Sequence, residues 1–296
     1  MRLDGKKPEI GISEKLLNQQ LDYSQPLPDP DLKNGKTVIR GHILGYNPAY
    51  GTTLNFNCSD WFFFDVFGQS IPIAEDGSFY YETNLMIPGD ATLRVGRKRF
   101  EIFLVPGGEL EITFNLPEIY WSESRLFGKK DGRPLVWFEG TYAGLNTELT
   151  KYAGLTSIYS ADSFYENICG VTPAQYKKYV TKIYEKNRDE ILKNKLLSDA
   201  ARTYMINNLE MSYFFAIKGY KGTISYAPMI SGKKGVKRAD MTVGENYYDD
   251  ILKLDFIHSP YIRYGGYLIL FVLQPRISKV SLNRNLSGRI SYGRDL

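Results

Sequence analysis

Glu109-Leu110-Glu111-Ile112-Thr113-Phe114 alternates polar and apolar residues without a slip. At period two, Leu110, Ile112 and Phe114 share one face of a strand, and Glu109, Glu111 and Thr113 share the other. One face suits a core and the other suits water, so the stretch reads as a half-buried strand of an antiparallel sheet. Just ahead of it, Pro106-Gly107-Gly108 suits a type II turn. Proline presets φ at the first central position of such a turn, and glycine accepts the positive φ of the second. Phe100, Ile102 and Leu104 alternate in the same way before the turn.

Further towards the N-terminus the pattern repeats. Asp76-Gly77 is a strong turn signal. After it Phe79, Tyr81, Thr83 and Leu85 share a face. Leu54, Phe56 and Cys58 alternate with Thr53, Asn55 and Asn57. Thr37–Leu44 is rich in β-branched residues and ends near Gly45. Short strands separated by turn signals predict a small antiparallel β-sandwich or partly closed barrel over residues 37–140. Residues 1–36 read as an extended lead-in, because each proline in Gln25-Pro26-Leu27-Pro28-Asp29-Pro30 biases the residue before it away from helix. Residues 119–134 read as an irregular connection, and 135–140 as a short strand.

Past residue 141 the period changes. Leu145, Leu149 and Tyr152 fall on one helical face. Thr172-Pro173-Ala174-Gln175 carries a helix start: Thr172 as N-cap, Pro173 at the first position and Gln175 completing a capping box. Tyr176, Val180, Ile183, Ile191 and Leu192 follow as an apolar stripe. Ser198 is placed to cap a helix carrying Tyr204, Leu209, Met211 and Phe215 and stopping near Gly219. Tyr247, Ile251 and Leu254 mark a short helix broken by Pro260, and Tyr261–Leu273 reads as one more, closed by Pro275. A helical domain is therefore expected over 141–275, and a basic, disordered tail over 276–296. Strands first and helices after predict the α+β class and not a doubly wound fold.

The chain has 296 residues, 43% hydrophobic and 24% charged, which is ordinary globular composition. Its 2 cysteines exclude a disulfide framework, a cysteine-based zinc site and a C-x-x-C redox motif. Only His42 and His258 are available for histidine chemistry. Residues 276–296 hold five bases and one acid, which equals the whole net charge of +4, so the rest of the chain is neutral. A nucleic-acid binder carries its basic face on the folded domain, and no nucleic-acid partner is expected. The apolar run Tyr267–Leu273 falls far short of the roughly 20 residues a membrane span requires. Met1–Lys6 opens no apolar signal segment, which fits a cytoplasmic chain or one that begins after a leader.

Individual residues offer little chemistry. Cys58 shares a strand face with Leu54 and Phe56 and reads as a small apolar side chain. Cys169 precedes Gly170 in a loop, with no His or Lys beside it in sequence to activate it. A bond between the two cysteines stays open. Trp61-Phe62-Phe63-Phe64 serves either a core and interface or an outward aromatic platform for sugar or peptide. Lys233, Lys234, Lys237 and Arg238, with Gly232 and Gly235, form a solvated loop or an anion contact, but lack phosphate-loop spacing. Asp249 and Asp250 are adjacent on a helix and point apart. Glu109 and Glu111 suit an exposed strand face. Asn57-Cys58-Ser59 and Asn285-Leu286-Ser287 fit the glycosylation sequon. No residue is assigned as catalytic, cofactor-binding or metal-ligating, no cofactor is expected, and the binding residues stay unassigned.

Four segments, in order, resemble the N-terminal region of TlpA-like thiol-disulfide oxidoreductases of the Bacteroidetes type. Lys36–Tyr46 looks like the opening strand of that β domain, and Asp76-Gly77-Ser78-Phe79 like its hairpin. Ile102–Leu110 resembles its strand-turn-strand, with Gly108 where the family has Asp, and Phe138–Leu149 its entry into the helical region. The resemblance runs from about residue 20 to 275, and no segment carries the family's W-C-x-x-C thioredoxin domain. It implies a periplasmic or cell-envelope accessory region without redox activity of its own, whose partner is another protein or the missing thioredoxin domain. In that light Arg276 onward reads as a frameshifted or vestigial end. Read from the residues alone, the competing function is a β-sandwich module that binds glycan or peptide through exposed aromatics.

Overall fold

A computed structural model of the chain describes residues 11–58, 68–124, 133–237 and 239–252. The strands are β1 (Gly35–Leu44), β2 (Leu54–Cys58), β3 (Gln69–Ile71), β4 (Ser78–Leu85), β5 (Gly89–Val95), β6 (Lys98–Leu104), β7 (Glu109–Asn115) and β8 (Val136–Gly140). The helices are α1 (Glu14–Leu17), α2 (Leu116–Glu123), α3 (Ala143–Lys151), α4 (Phe164–Asn167), α5 (Pro173–Lys193), α6 (Asp199–Lys218), α7 (Tyr220–Ser231) and α8 (Asp249–Leu252). The class is α+β. Contacts divide the described chain into two units: residues up to Ala153 with Leu196–Thr203, and Gly154–Lys195 with Tyr204 onward.

The first unit holds two four-stranded sheets, ordered β4-β1-β7-β8 and β3-β2-β5-β6. They do not close into a barrel. Ile39, Ile43, Ile112 and Phe114 of one sheet and Leu54, Phe56, Leu93 and Ile102 of the other belong to one buried core. Phe100 and Phe114 meet across the sheets, ring centroids 5.2 Å apart. The expected alternation of β7 is present: Leu110, Ile112 and Phe114 are buried, and the acids between them are not. In β4, Phe79 and Leu85 are buried while Tyr80, Glu82 and Asn84 face water.

One pairing corrects the antiparallel expectation. β1 and β7 run parallel, from Val38 opposite Glu109 to Leu44 opposite Asn115. The Pro106-Gly107 turn forms as expected, with Gly107 at φ 77° and the Gly108 amide donating to the Val105 carbonyl at 3.0 Å. It does not build a hairpin, because β6 and β7 lie in different sheets. A type II turn splays its flanking strands, which suits a crossing from one sheet to the other. At Gly41 the β7 backbone comes so close that a Cβ there would run into the Ile112 carbonyl oxygen.

Several further elements, among them β3, were not expected. β5 lies between β2 and β6, and α2 occupies the start of the stretch read as irregular. Pro117 in the first turn of α2 and the Asn115 side chain accepting from the Glu118 amide at 3.2 Å explain that helix start. The lead-in contains α1 and is tied to the sheet edge: Gln19 Nε2 donates to the Phe138 carbonyl at 2.6 Å, and Lys15 pairs with Glu139 at 2.6 Å. α3 packs on β6 and β8, within the first unit.

The second unit is helical. The capping box of α5 is formed by Thr172 and Gln175, with Pro173 in the first turn. Tyr176, Val180, Ile183 and Ile191 are buried as expected, but Leu192 is 46% exposed. Leu192 follows Ile191 directly, and one residue is about 100° of helical rotation, which carries it off the stripe. α6 ends at Lys218, near the expected stop, and Ser198 accepts from the Ala201 amide at 3.1 Å. α7 escaped the sequence reading because Gly219, Gly222 and Pro228 mask it.

Candidate functional site

The second unit carries an open cavity of 840 Å³ along α5. Ala174, Lys177, Lys178, Thr181, Lys182 and Glu185 line one wall. They recur at three- and four-residue spacing, so one helical face presents them all, opposite the buried stripe of Tyr176 and Val180. Gly244, Asn246 and Tyr247 form the other wall.

Lys177 joins the walls. Its half-buried Nζ donates to the Tyr247 carbonyl at 2.8 Å and pairs with Asp250 at 2.9 Å. It also lies 5.5 Å from the centroid of the Tyr247 ring. The charge of Lys177 is therefore committed, and the exposed Lys178 and Lys182 are the cations that the groove offers to a ligand.

Behind α5 the unit is packed with phenols. Tyr184 and Tyr213 stack with centroids 4.8 Å apart, and Tyr213 Oη meets Thr181 Oγ1 at 2.9 Å. Tyr184 Oη donates to Glu210 at 3.3 Å. Tyr247 packs against Tyr220 and Tyr248, each with centroids 5.0 Å away. Burial, then the nearby Glu210 carboxylate, pushes the Tyr184 phenol up to about 12. Burial, then the Tyr220 phenol, pushes Tyr248 up to about 12, and burial raises Tyr247 as well. These hydroxyls stay protonated at neutral pH. They can donate hydrogen bonds, and none is poised as a phenolate nucleophile.

The residues singled out in the sequence are scattered. Cys58 is half buried beside the first unit's core, its Sγ 3.8 Å from the Asp90 carbonyl. Cys169 Sγ lies 3.1 Å from both the Tyr165 carbonyl and Ser231 Oγ. Neither cysteine is in a disulfide, so the bond left open between them is not made. Glu109 and Glu111 stand on the outer face of β7, where Arg40 of β1 pairs with both. His42 Nε2 reaches the Asp76 carbonyl at 2.6 Å, holding the hairpin turn. Asp250 is the ion-pair partner of Lys177, a role its place beside Asp249 did not suggest. Lys233 Nζ donates to the Glu166 carbonyl at 2.9 Å, while Lys234 and Lys237 are exposed. Trp61–Phe64, Arg238, Asn285 and the stretch from 253 onward lie outside the described residues.

The groove residues Lys177, Lys178, Thr181, Lys182 and Tyr247 were missed. A signal existed: three lysines recur on the face of α5 opposite its apolar stripe. The second wall comes from a distant segment that no local pattern announces. Comparison with known protein families, with curated proteins and with solved structures found no match.

Proposed function

We propose that this chain is a non-catalytic accessory region of a cell-envelope protein of the TlpA-like thioredoxin family, a two-sheet sandwich followed by a helical domain. It works by holding a protein partner, which includes the thioredoxin domain that the resemblance leads one to expect. The observation that carries the holding role is the α5 groove. Its far wall is clamped by a committed lysine, and its near wall presents Lys178 and Lys182 uncommitted. Such a groove suits an acidic segment of a partner, because matching charge steers association and sets register. The Cys58 and Cys169 thiols are each tied into separate surroundings, which agrees with a role other than dithiol exchange.

The test is fluorescence anisotropy with a labelled peptide of alternating Asp and Gly. Binding that is lost in the double variant Lys178→Glu/Lys182→Glu supports the reading. No binding by the wild-type chain, or turnover in an insulin-reduction assay, overturns it. The alternative of glycan or peptide capture by exposed aromatics names Trp61–Phe64, which lie outside the described residues.

A further inference from the structure

α7 is apolar on two sides. Tyr220, Ile224 and Ala227 are buried at helical spacing and anchor the helix in its unit. Tyr226, Met229 and Ile230 form a second stripe, exposed by 60%, 73% and 53%. Their spacing of three and four residues puts them on one face. A surface helix needs only one apolar face, and a second one turned to water marks an interaction surface.

Along the chain the charge around this stripe is of one sign, and the exposed acid near it is Glu166 of α4, which packs against α7. Residues 219–237 contain Lys221, Lys233, Lys234 and Lys237 and neither Asp nor Glu. Gly232, at φ 72°, ends the helix, and the lysine loop follows directly. Lys233 ties that loop to the Glu166 carbonyl at 2.9 Å; Lys234 and Lys237 are exposed, and Lys237 lies beside Ile224, Ser225 and Pro228 of α7.

We propose that α7 rests on an anionic lipid surface. Tyr226, Met229 and Ile230 enter the boundary between headgroups and acyl chains, and Lys234 and Lys237 meet lipid phosphates. The stripe is a ridge on a single helix, which suits a planar partner. Tyrosine is at home at that depth, and long lysine stems let the charge stay in the headgroups. A protein partner would need an acidic cluster in register with the loop, whereas an anionic bilayer supplies charge at every position. Attachment of this kind is peripheral. Among the described residues no helix is long and apolar enough to cross a membrane. The inference uses no residue of the α5 groove and stands apart from the role proposed for it.

The test is co-sedimentation of the full chain with vesicles of phosphatidylcholine alone and of phosphatidylcholine mixed with an equal amount of phosphatidylglycerol. Binding to the anionic vesicles only is expected. Each of Lys234→Gln and Lys237→Gln should weaken it about fivefold. Met229→Gln/Ile230→Gln should weaken it about tenfold or more, with the thermal midpoint close to that of wild type because neutral side chains do not oppose the helix dipole. As a second measurement, Met229→Cys carrying an environment-sensitive dye should shift to the blue on anionic vesicles. Equal binding to both vesicle types, binding to neither, an unshifted dye, or self-association through the stripe without vesicle binding would each overturn the proposal.

Discussion

The side-chain amide of Asn146 lies along the backbone of Phe103 as a strand neighbour would. Its Oδ1 accepts from the Phe103 amide at 2.7 Å, and its Nδ2 donates to the Phe103 carbonyl at 3.1 Å. β6 is the edge of its sheet, and a bare edge is a template for another chain. Asn146 is fully buried on α3, so one residue both closes part of that edge and docks the helix on it.

Replacing Asn146 by Leu leaves the amide and carbonyl of Phe103 buried without those partners. A loss of about 2–4 kcal/mol is expected, from two buried groups at roughly 1–2 kcal/mol each. Urea unfolding followed by fluorescence checks it. An unchanged midpoint would show that water reaches this edge.

Gly41→Ala pushes a methyl group into the Ile112 carbonyl oxygen at the parallel pair of central strands. Neither backbone can retreat without breaking the pairing. The variant should lose about 3 kcal/mol or more, or fail to accumulate as folded protein. Thermal melts of Gly41→Ala beside wild type decide it, and a shift of less than a degree would contradict the close approach.

Lys177→Met removes the clamp and leaves Asp250 without its cation. Amide exchange at residues 244–250 should quicken, and the acidic peptide should bind more weakly even though Lys178 and Lys182 remain. Asp250→Asn keeps the bond from Lys177 to the Tyr247 carbonyl and should have the smaller effect. Hydrogen exchange with mass spectrometry separates the two.

The helical unit should be sensitive to alkali. Tyr184 and Tyr248 have folded phenols near 12 against an ordinary value of 10.0. Below pH 10 both folded and unfolded chains keep these protons, and the stability from burying neutral phenols is complete. As pH rises from 10 towards 12 the unfolded chain sheds protons first, so unfolding becomes progressively easier. Phenolate absorbance should therefore rise in step with loss of helical circular dichroism. Titration of these phenols near 10 with the helices intact would count against their burial.

Much of the β unit could be read beforehand because its signals are local. Alternation in β4 and β7, and proline and glycine in the Val105–Gly108 turn, depend on neighbours in sequence. The parallel partner of β1 did not show, because register between strands so far apart leaves no mark on either. Gly41 was visible as a letter, but its need is created by the Ile112 backbone. α7 was hidden for another reason: glycines and a proline that normally end helices are tolerated where burial of Tyr220, Ile224 and Ala227 outweighs propensity. The groove was half legible, as a row of lysines whose facing wall arrives from residues 244–247.

The parallel register of β1 and β7 also sets an order for biosynthesis. As the polypeptide leaves the ribosome, β1 emerges early, yet one of its two flanks is filled only when Glu109–Asn115 follows. Until then Ile39 and Ile43 lack the cover they have in the finished core. Long-range pairing of this kind closes slowly and leaves the nascent segment open to wrong partners. A pause in translation before Glu109–Asn115 has cleared the ribosome should therefore lower the yield of soluble product, whereas a pause well after Gly140 has emerged, once β8 has joined, should cost little.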